Sequence, residues 1–176
     1  MPATKQDLFA RLDALGIAHS TVTHPPLFTV EESQALRGEI EGVHAKNLFL
    51  KDKKDRLWLV VARETLAVDL KRLDAVIGAA RLSFGRAELL EAVLGVRPGA
   101  VTPFALINDA GRQVTPVLDR GLVASPLVNF HPLTNEATTT VSSQGLLTFI
   151  ESCGHRAMIV DLPVRAEAEA GAGAAT

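Results

Sequence analysis

The stretch HAKNLFLKDKKDRLWLVV, residues 44–61, decides the fold, because it holds two apolar runs joined by a charged turn. Such runs separated by a few polar residues predict two antiparallel strands, over 44–51 and 56–62, that form a hairpin. Side chains alternate along a strand, so Lys46 shares a face with the two leucines that follow it. Two explanations stay open: its ammonium reaches solvent at the strand end, or it awaits a polar ligand at a pocket rim.

The bulk composition describes one globular domain. The chain has 176 residues, of which 47% are hydrophobic and 22% charged, enough for a substantial core. A net charge of −2 gives no overall attraction to nucleic acid. A single cysteine excludes an internal disulfide, and no run has the apolar length of a signal peptide core or a membrane span. These features predict a cytoplasmic protein without a membrane partner.

Start and stop residues predict the other elements. Thr4 caps a first helix that stops at Gly16, and Thr29 and Glu32 have capping-box spacing for a second. Further helices are predicted over 68–78, 86–95 and 144–154, the last capped by Ser142 or Ser143. Further strands are predicted over 18–24, 80–84, 126–132, 137–142 and 157–162, and a second hairpin is predicted from 104–109 and 114–119.

Hairpins with interspersed helices indicate an α/β (α+β) domain, with a mixed, mainly antiparallel sheet surrounded by helices. The regular alternation of a doubly wound sheet is missing. We assign residues 1–163 to this single compact domain. Residues 164–176 are rich in Ala, Gly and Glu and contain no large apolar group, so a disordered tail is predicted there.

Several common cofactor-binding and catalytic motifs are absent from the sequence. The chain has no GxGxxG or Walker loop, and its five histidines lack the HExxH spacing. We therefore predict neither a cofactor nor a metal site. Cys153 and His155 lie close in sequence, but a lone cysteine after a helix end is usually a small core residue, and this pair is interpreted as structural.

Three other features could carry chemistry. The first is the pair Lys46–Asn47. The second is the loop GVRPGAVTPF, residues 95–104, which is either a plain connector or a set of backbone amides aimed at a carbonyl oxygen. The third is VNFHP, in which Asn129 and His131 share a strand face; it is otherwise an ordinary solvated edge strand.

Together these segments resemble a known family. HPP followed by FTVEES, then HAKNLFLKD, LGVRPGAVTPFALIND and NFHPLTNEATTTVS, are similar to the YbaK/ProX superfamily of aminoacyl-tRNA editing domains. The resemblance runs in order from about residue 5 to residue 162. The loop is closer to the PrdX/ProXp-ala branch than to the cysteinyl-tRNA(Pro) deacylase branch, whose loop is of Gly-Gly-x-Ser-Pro type.

The resemblance implies a compact α/β domain and a cofactor-free hydrolase. Its reaction would be deacylation of Ala-tRNA(Pro), sparing Pro-tRNA(Pro), with Lys46 as the essential lysine. The terminal ribose 2′-hydroxyl would orient the attacking water, and His131 would hold the ribose or a water. The substrate-binding residues implied are Asn47, Gly95, Val96, Pro98, Gly99, Thr102, Asn129 and His131.

The tRNA body requires a further surface. Four basic residues at or near the first hairpin are candidates for acceptor-stem contact, or else belong to a solvated charged turn: Lys51, Lys53, Lys54 and Arg81. The partners expected are the acceptor end of tRNA(Pro) and prolyl-tRNA synthetase. Two other functions stay open, a deacylase for cysteine or serine on tRNA and a non-catalytic nucleic-acid-binding module. The absence of a basic face or an aromatic stacking surface in the sequence argues against the second.

Overall fold

The computed structural model describes residues 1–26, 35 and 40–166. Its strands are β1 His19–Thr23, β2 Val43–Asp52, β3 Leu57–Arg63, β4 Leu82–Phe84, β5 Val114–Asp119, β6 Leu127–Phe130, β7 Ala137–Ser142 and β8 Met158–Val160. Its α-helices are α1 Lys5–Ala14, α2 Leu70–Ile77, α3 Ala87–Leu94, α4 Arg120–Val123 and α5 Ser143–Ser152. Two 3₁₀ helices span Pro98–Ala100 and Pro103–Asn108. No helix within the described residues is long and apolar enough to cross a membrane.

One mixed sheet of eight strands organises the domain. The strand order is β1-β7-β6-β2-β3-β5-β8, and β4 also pairs with β2. Four pairings are antiparallel, and three are parallel: β2 with β6, β3 with β5, and β5 with β8. The predicted fold class and the first hairpin are thereby confirmed.

The predicted second hairpin is wrong. Residues 103–108 form a 3₁₀ helix, because the Thr102 hydroxyl accepts a hydrogen bond from the Phe104 amide and Pro103 starts the first turn. Residues 114–119 do form a strand, but it pairs in parallel with β3 and β8. The run FALI has an apolar pattern that suits a short helix or a strand equally, so periodicity could not separate them.

Most predicted helix signals are confirmed. Thr4 and Asp7 form a capping box, Ser142 caps α5, and Gly78 and Gly95 end their helices with positive φ angles of 73° and 67°. The helix predicted around Thr29 and Glu32 lies outside the described residues. Of the predicted tail, Val164 forms a bridge with Val68, and Arg165 donates its amide to Ala67 O. Residues 167–176 lie outside the described residues.

The two faces of the sheet bury separate cores. The larger core contains α1, α3, α5 and the second 3₁₀ helix, with Phe104 in edge-to-face contact with Phe130 and Phe149. The smaller core lies under α2 and includes Leu50 and Trp58. Strand β2 contributes to both, since its odd residues face the larger core and its even residues the smaller one. Lys46 therefore belongs to the α2 side of the sheet.

Candidate active site

The sheet opens beside the middle of β2. On one edge this strand pairs with β6 through residues 43–44 and with β4 through residues 50–52. The Phe49 carbonyl accepts a hydrogen bond from the Gly85 amide, which closes that end. Within the described chain, residues 45–48 of β2 pair only with β3. The result is a gap in the sheet between β6 and β4, here called the β2 gap.

Lys46 and Asn47 lie at the centre of the β2 gap. The ladder with β3 is continuous from Ala45 to Lys51, so β2 has no bulge and the two side chains extend to opposite faces. The His44 carbonyl and the Asp52 amide both form hydrogen bonds with residues that flank β3, so the backbone groups of the even-numbered residues of β2 point to β3. Backbone groups of successive residues point to opposite edges of a strand, so those of Asn47 point into the gap. A group bound in the gap can thus meet Lys46 from one side and Asn47 from the other.

The ammonium of Lys46 is half-buried, and within the described residues it makes no hydrogen bond or ion pair. Burial lowers the pKa of Lys46; the positive charge of Arg165 lowers it further, and the negative charge of Glu64 opposes this shift. A partly desolvated cation without a partner interacts strongly with a developing negative charge, because water screens it less. Lys46 is therefore suited to stabilising an oxyanion or holding a phosphate.

Asn47 carries a second unsatisfied group. Its Oδ1 is buried and has no hydrogen-bond partner. Leaving a buried acceptor unpaired is costly, and in native proteins such groups usually have a reason. A substrate amine or hydroxyl would supply the missing donor.

His131 extends from the end of β6, next to the β2 gap. The parallel register pairs Val43 with Val128 and His44 with Asn129, so two further steps would set Lys46 beside His131. The Nδ1–H of His131 donates to the Ala137 carbonyl at 3.0 Å, which leaves Nε2 as an acceptor in the neutral ring. Burial lowers the pKa of His131, opposed by the Ala137 hydrogen bond and helped by the charge of His24. The ring therefore stays neutral and can accept a hydrogen bond from water or a ribose hydroxyl.

His24 supports this side of the site and was missed in the sequence. Its ring lies 6.5 Å from that of His131, its Nδ1 donates to the Pro25 carbonyl, and its Nε2 shares a hydrogen bond with the Thr138 hydroxyl. The HPP motif, which begins with His24, could have drawn attention to this residue. Nothing in the sequence, however, indicates that β1 pairs with β7.

Asn129 has a structural role. Its Nδ2 donates to the Glu41 carbonyl at 3.0 Å, and its Oδ1 accepts from the Thr140 hydroxyl. Both ends of the amide are therefore occupied, and Asn129 ties β6 to β7 and to the segment before β2. One N–H of Nδ2 and one lone pair of Oδ1 remain beyond these two bonds, so the predicted contact of Asn129 with substrate stays a prediction.

The 95–104 loop faces a small cavity of about 390 Å³, shared with residues 133–135. Gly99 approaches Asn135, which brings this loop next to the β6–β7 connection. The Gly95 amide is occupied, because it donates to Glu91 O as the helix cap. The amides of Val96 and Arg97 make no hydrogen bond within the described residues. The Gly99 amide also makes none there, so the amides of Val96, Arg97 and Gly99 are the candidate oxyanion donors considered from this loop.

The other predicted loop residues also have structural contacts, and their roles in substrate binding stay predictions. Val96 is buried in the larger core, Thr102 is fully buried as a cap, and Pro98 starts the first 3₁₀ turn. Cys153 does not reach His155; the His155 ring instead bonds Asp109 at 2.9 Å. Burial raises the pKa of Cys153 despite hydrogen bonds from Ser152 and Arg11. This thiol is interpreted as structural, as predicted.

The four predicted tRNA-contacting cations collect at one end of the sheet. The Lys53 amide donates to the Arg81 carbonyl at 3.1 Å, so β4 sits against the β2–β3 turn. Lys51 forms an exposed ion pair with Asp55 at 3.2 Å, of little energetic weight. Lys53, Lys54 and Arg81 are exposed. These residues form a local basic surface, defined here as the hairpin surface.

Comparison with known proteins identifies the family. The model of the aminoacyl-tRNA editing domain matches residues 24–149. A prolyl-tRNA synthetase associated domain-containing protein 1 from Danio rerio is 40% identical over 158 residues, covering 89% of this chain and 86% of that protein. The prolyl-tRNA editing protein ProX of Acetoanaerobium sticklandii is 36% identical over 159 residues, covering 90% and 97%.

A solved structure supports the fold independently. A proposed trans-editing enzyme for prolyl tRNA synthetase superposes with a TM-score of 0.69 at 19% identity, covering 94% of this chain and 100% of that one. The family model spans every residue that lines the β2 gap, including Lys46, Asn47 and His131. The chain therefore belongs to the aminoacyl-tRNA editing domain family, within the YbaK/ProX superfamily, and is an aminoacyl-tRNA deacylase.

Proposed function

We propose that this protein hydrolyses Ala-tRNA(Pro) in trans and spares Pro-tRNA(Pro). The observation that carries the proposal is the half-buried ammonium of Lys46, which has no hydrogen bond or ion pair within the described residues, at a gap in the sheet opposite the unpartnered Oδ1 of Asn47. The GVRPG loop, which resembles the ProXp-ala branch, supports alanine as the amino acid removed. The relatives named for prolyl-tRNA editing and for the synthetase support tRNA(Pro).

The proposed reaction is ester hydrolysis without a cofactor. Water adds to the ester carbonyl carbon, the carbonyl electrons move onto oxygen, and the bond to the ribose 3′-oxygen then breaks. That oxygen takes a proton, and free alanine leaves. Lys46 stabilises the oxyanion in a site where water screens it weakly, and the Val96 and Arg97 amides add to this.

His131 and the terminal ribose together orient the attacking water. Nε2 of His131 accepts a hydrogen bond from the terminal ribose 2′-hydroxyl or from the attacking water, and so orients it. The lowered pKa of His131 keeps this acceptor available at neutral pH. Asn47 Oδ1 accepts from the α-ammonium group of the alanyl ester, which supplies its missing donor.

Selectivity follows from size. A synthetase pocket shaped for proline loses only about 1–3 kcal/mol when a smaller amino acid binds, so some alanine is attached. A second site too small for the proline ring removes that product, which is double-sieve editing. The proposal thus places the protein with prolyl-tRNA synthetase in the cytoplasm, where tRNA is charged.

The test is release of amino acid from Ala-, Cys-, Ser- and Pro-tRNA(Pro), comparing wild type with Lys46→Ala. Lys71→Ala is the matched control, since Lys71 is exposed on α2. Alanine release that the Lys46 variant loses and the control keeps would support the proposal. Release of cysteine or serine alone would reassign the substrate. Binding of tRNA without release of any amino acid would contradict catalysis.

A further inference from the structure

Next to the hairpin surface lies an exposed aromatic ring that no described residue covers. Phe84, at the end of β4, is 63% exposed, the most of any phenylalanine in the described residues. Burying such a ring ordinarily stabilises a fold, so leaving it in water forgoes that stabilisation. The chain has no tyrosine, and its single tryptophan is buried beneath Arg56. Phe84 is therefore an available stacking surface at this end of the sheet.

Phe84 lines a cavity of about 710 Å³ together with Lys51, Arg86 and Leu89. Around it lie the four cationic side chains of the hairpin surface and Arg86, together with two exposed acidic side chains, Asp55 and Glu88. Arg86 makes no ion pair within the described residues. An exposed ring beside a local excess of positive charge has the chemistry that binds a nucleobase and its phosphate.

The position of Phe84 connects this cavity to the β2 gap. Phe84 pairs with Leu50, and paired residues extend to the same face of a sheet. Leu50 lies four residues from Lys46 on β2 and shares its face. At about 3.3 Å per residue, Leu50 and Lys46 are about 13 Å apart along β2, and Phe84 lies beside Leu50 on the neighbouring strand. A strand advancing at least ~3.4 Å per nucleotide covers this distance in no more than about four nucleotides.

We propose that Phe84 stacks on a nucleobase of the single-stranded 3′ end of the tRNA, one of those preceding the terminal adenosine. Arg86 and Lys51 hold the adjoining phosphates. This inference rests on the proposed function for the terminal adenosine at Lys46. It adds a second contact that positions the RNA and takes no part in the chemistry.

Binding of an uncharged acceptor-stem hairpin RNA with its single-stranded 3′ end tests the proposal apart from catalysis. Stacking contributes about 1–3 kcal/mol per base, so Phe84→Ala should weaken binding roughly 5- to 150-fold. Phe84→Trp should restore it. Val76→Ala is the control, because Val76 is also a large exposed apolar side chain, 43% exposed on α2. A hairpin lacking the 3′ single strand should bind wild type and Phe84→Ala alike.

Salt dependence separates the ring from the cations. Arg86→Ala should reduce the slope of log affinity against log salt by about 1, whereas Phe84→Ala should leave the slope unchanged. In deacylation assays Phe84→Ala should raise KM and leave kcat near wild type, since the lost contact is equal in ground and transition states.

Two results would overturn the inference. The first is unchanged affinity of Phe84→Ala for the complete hairpin. The second is a change in sedimentation of the free protein with no change in RNA affinity, which would make Phe84 a contact between copies of the chain. If wild type binds the hairpin through Phe84 but releases no amino acid, the proposed reaction fails and the stacking contact stands.

Discussion

The two ends of strand β2 differ in whether their polar side chains have hydrogen-bond partners. At its C-terminal end, Asp52 is only 2% exposed and accepts hydrogen bonds from Lys54 N, Arg56 N, Arg56 Nε, Trp58 Nε1 and Ala80 N. Near its other end, Lys46 has no partner within the described residues and Asn47 Oδ1 is buried without one. Satisfied groups hold a turn in place, whereas unsatisfied groups are available to a substrate. The comparison predicts that activity and stability separate along one strand.

The largest expected effect is at Lys46. Lys46→Ala should lower kcat/KM by at least about 100-fold, because removing one oxyanion-stabilising group costs about 3 kcal/mol of transition-state energy. The melting temperature should hold or rise, since a partly buried, unpaired cation is removed. Deacylation kinetics check the expected loss of activity, and thermal unfolding of the same preparation checks the expected melting temperature. A wild-type rate would remove Lys46 from the chemistry, and a large fall in stability would make it structural.

Asp52 should show the reverse behaviour. Burial alone would raise the pKa of Asp52, but hydrogen bonds from Arg56, Ala80, Lys54 and Trp58 outweigh burial and lower it to about 2. Relative to an unfolded value near 3.8, this shift corresponds to about 2 kcal/mol of stability. That stability is present above pH 4 and is lost as the pH falls towards 2.

Asp52→Asn should therefore lose about 2 kcal/mol at pH 7, and its deficit against wild type should shrink below pH 4. Urea unfolding across this pH range measures both quantities. The folded variant should retain kcat within about twofold. A variant as stable as wild type at pH 7 would show that the turn does not depend on the carboxylate.

Substitution of Asn47, like that of Lys46, should lower activity more than stability. Asn47→Ala should lower kcat/KM by about tenfold, equal to one hydrogen bond to a charged group, with little loss of stability because the free protein gives Oδ1 no partner. Steady-state kinetics with alanyl and prolyl substrates would measure the effect. Marked destabilisation with normal kinetics would assign Asn47 to the structural side of the comparison.

The smallest expected effect is on the alkaline limb of the rate profile. Burial and Arg165 lower the pKa of Lys46, and the charged form is the active one. Activity should therefore fall with rising pH at a midpoint below the usual lysine value of 10.5. Lys46→Arg should retain some activity and lose this limb, because arginine does not titrate there. Rates must be corrected for spontaneous ester hydrolysis. An unchanged limb in Lys46→Arg would assign it to another group.

The sequence predicted the first hairpin because its apolar alternation and polar turn act locally. The resemblance to a family also singled out Lys46 and His131, whose roles stay predictions. The sequence could not show that Asp52 is buried, since a DKKD turn has the composition of a solvated one, and five donors meet there only after β4 and Trp58 are in place. It missed the 3₁₀ helix at Pro103 although Thr102-Pro103 is a start signal, because the following apolar residues matched a strand equally well.

The edge of β2 also bears on aggregation. A strand edge with free backbone groups usually offers a template on which a second molecule can add a strand. Among the residues that the structure describes, the open part of β2 is only four residues long, and β6 and β4 close it at either end. A foreign strand that paired there would collide with both neighbours before forming a ladder of useful length. The protein can therefore keep an open sheet edge for its substrate and still avoid strand-to-strand association.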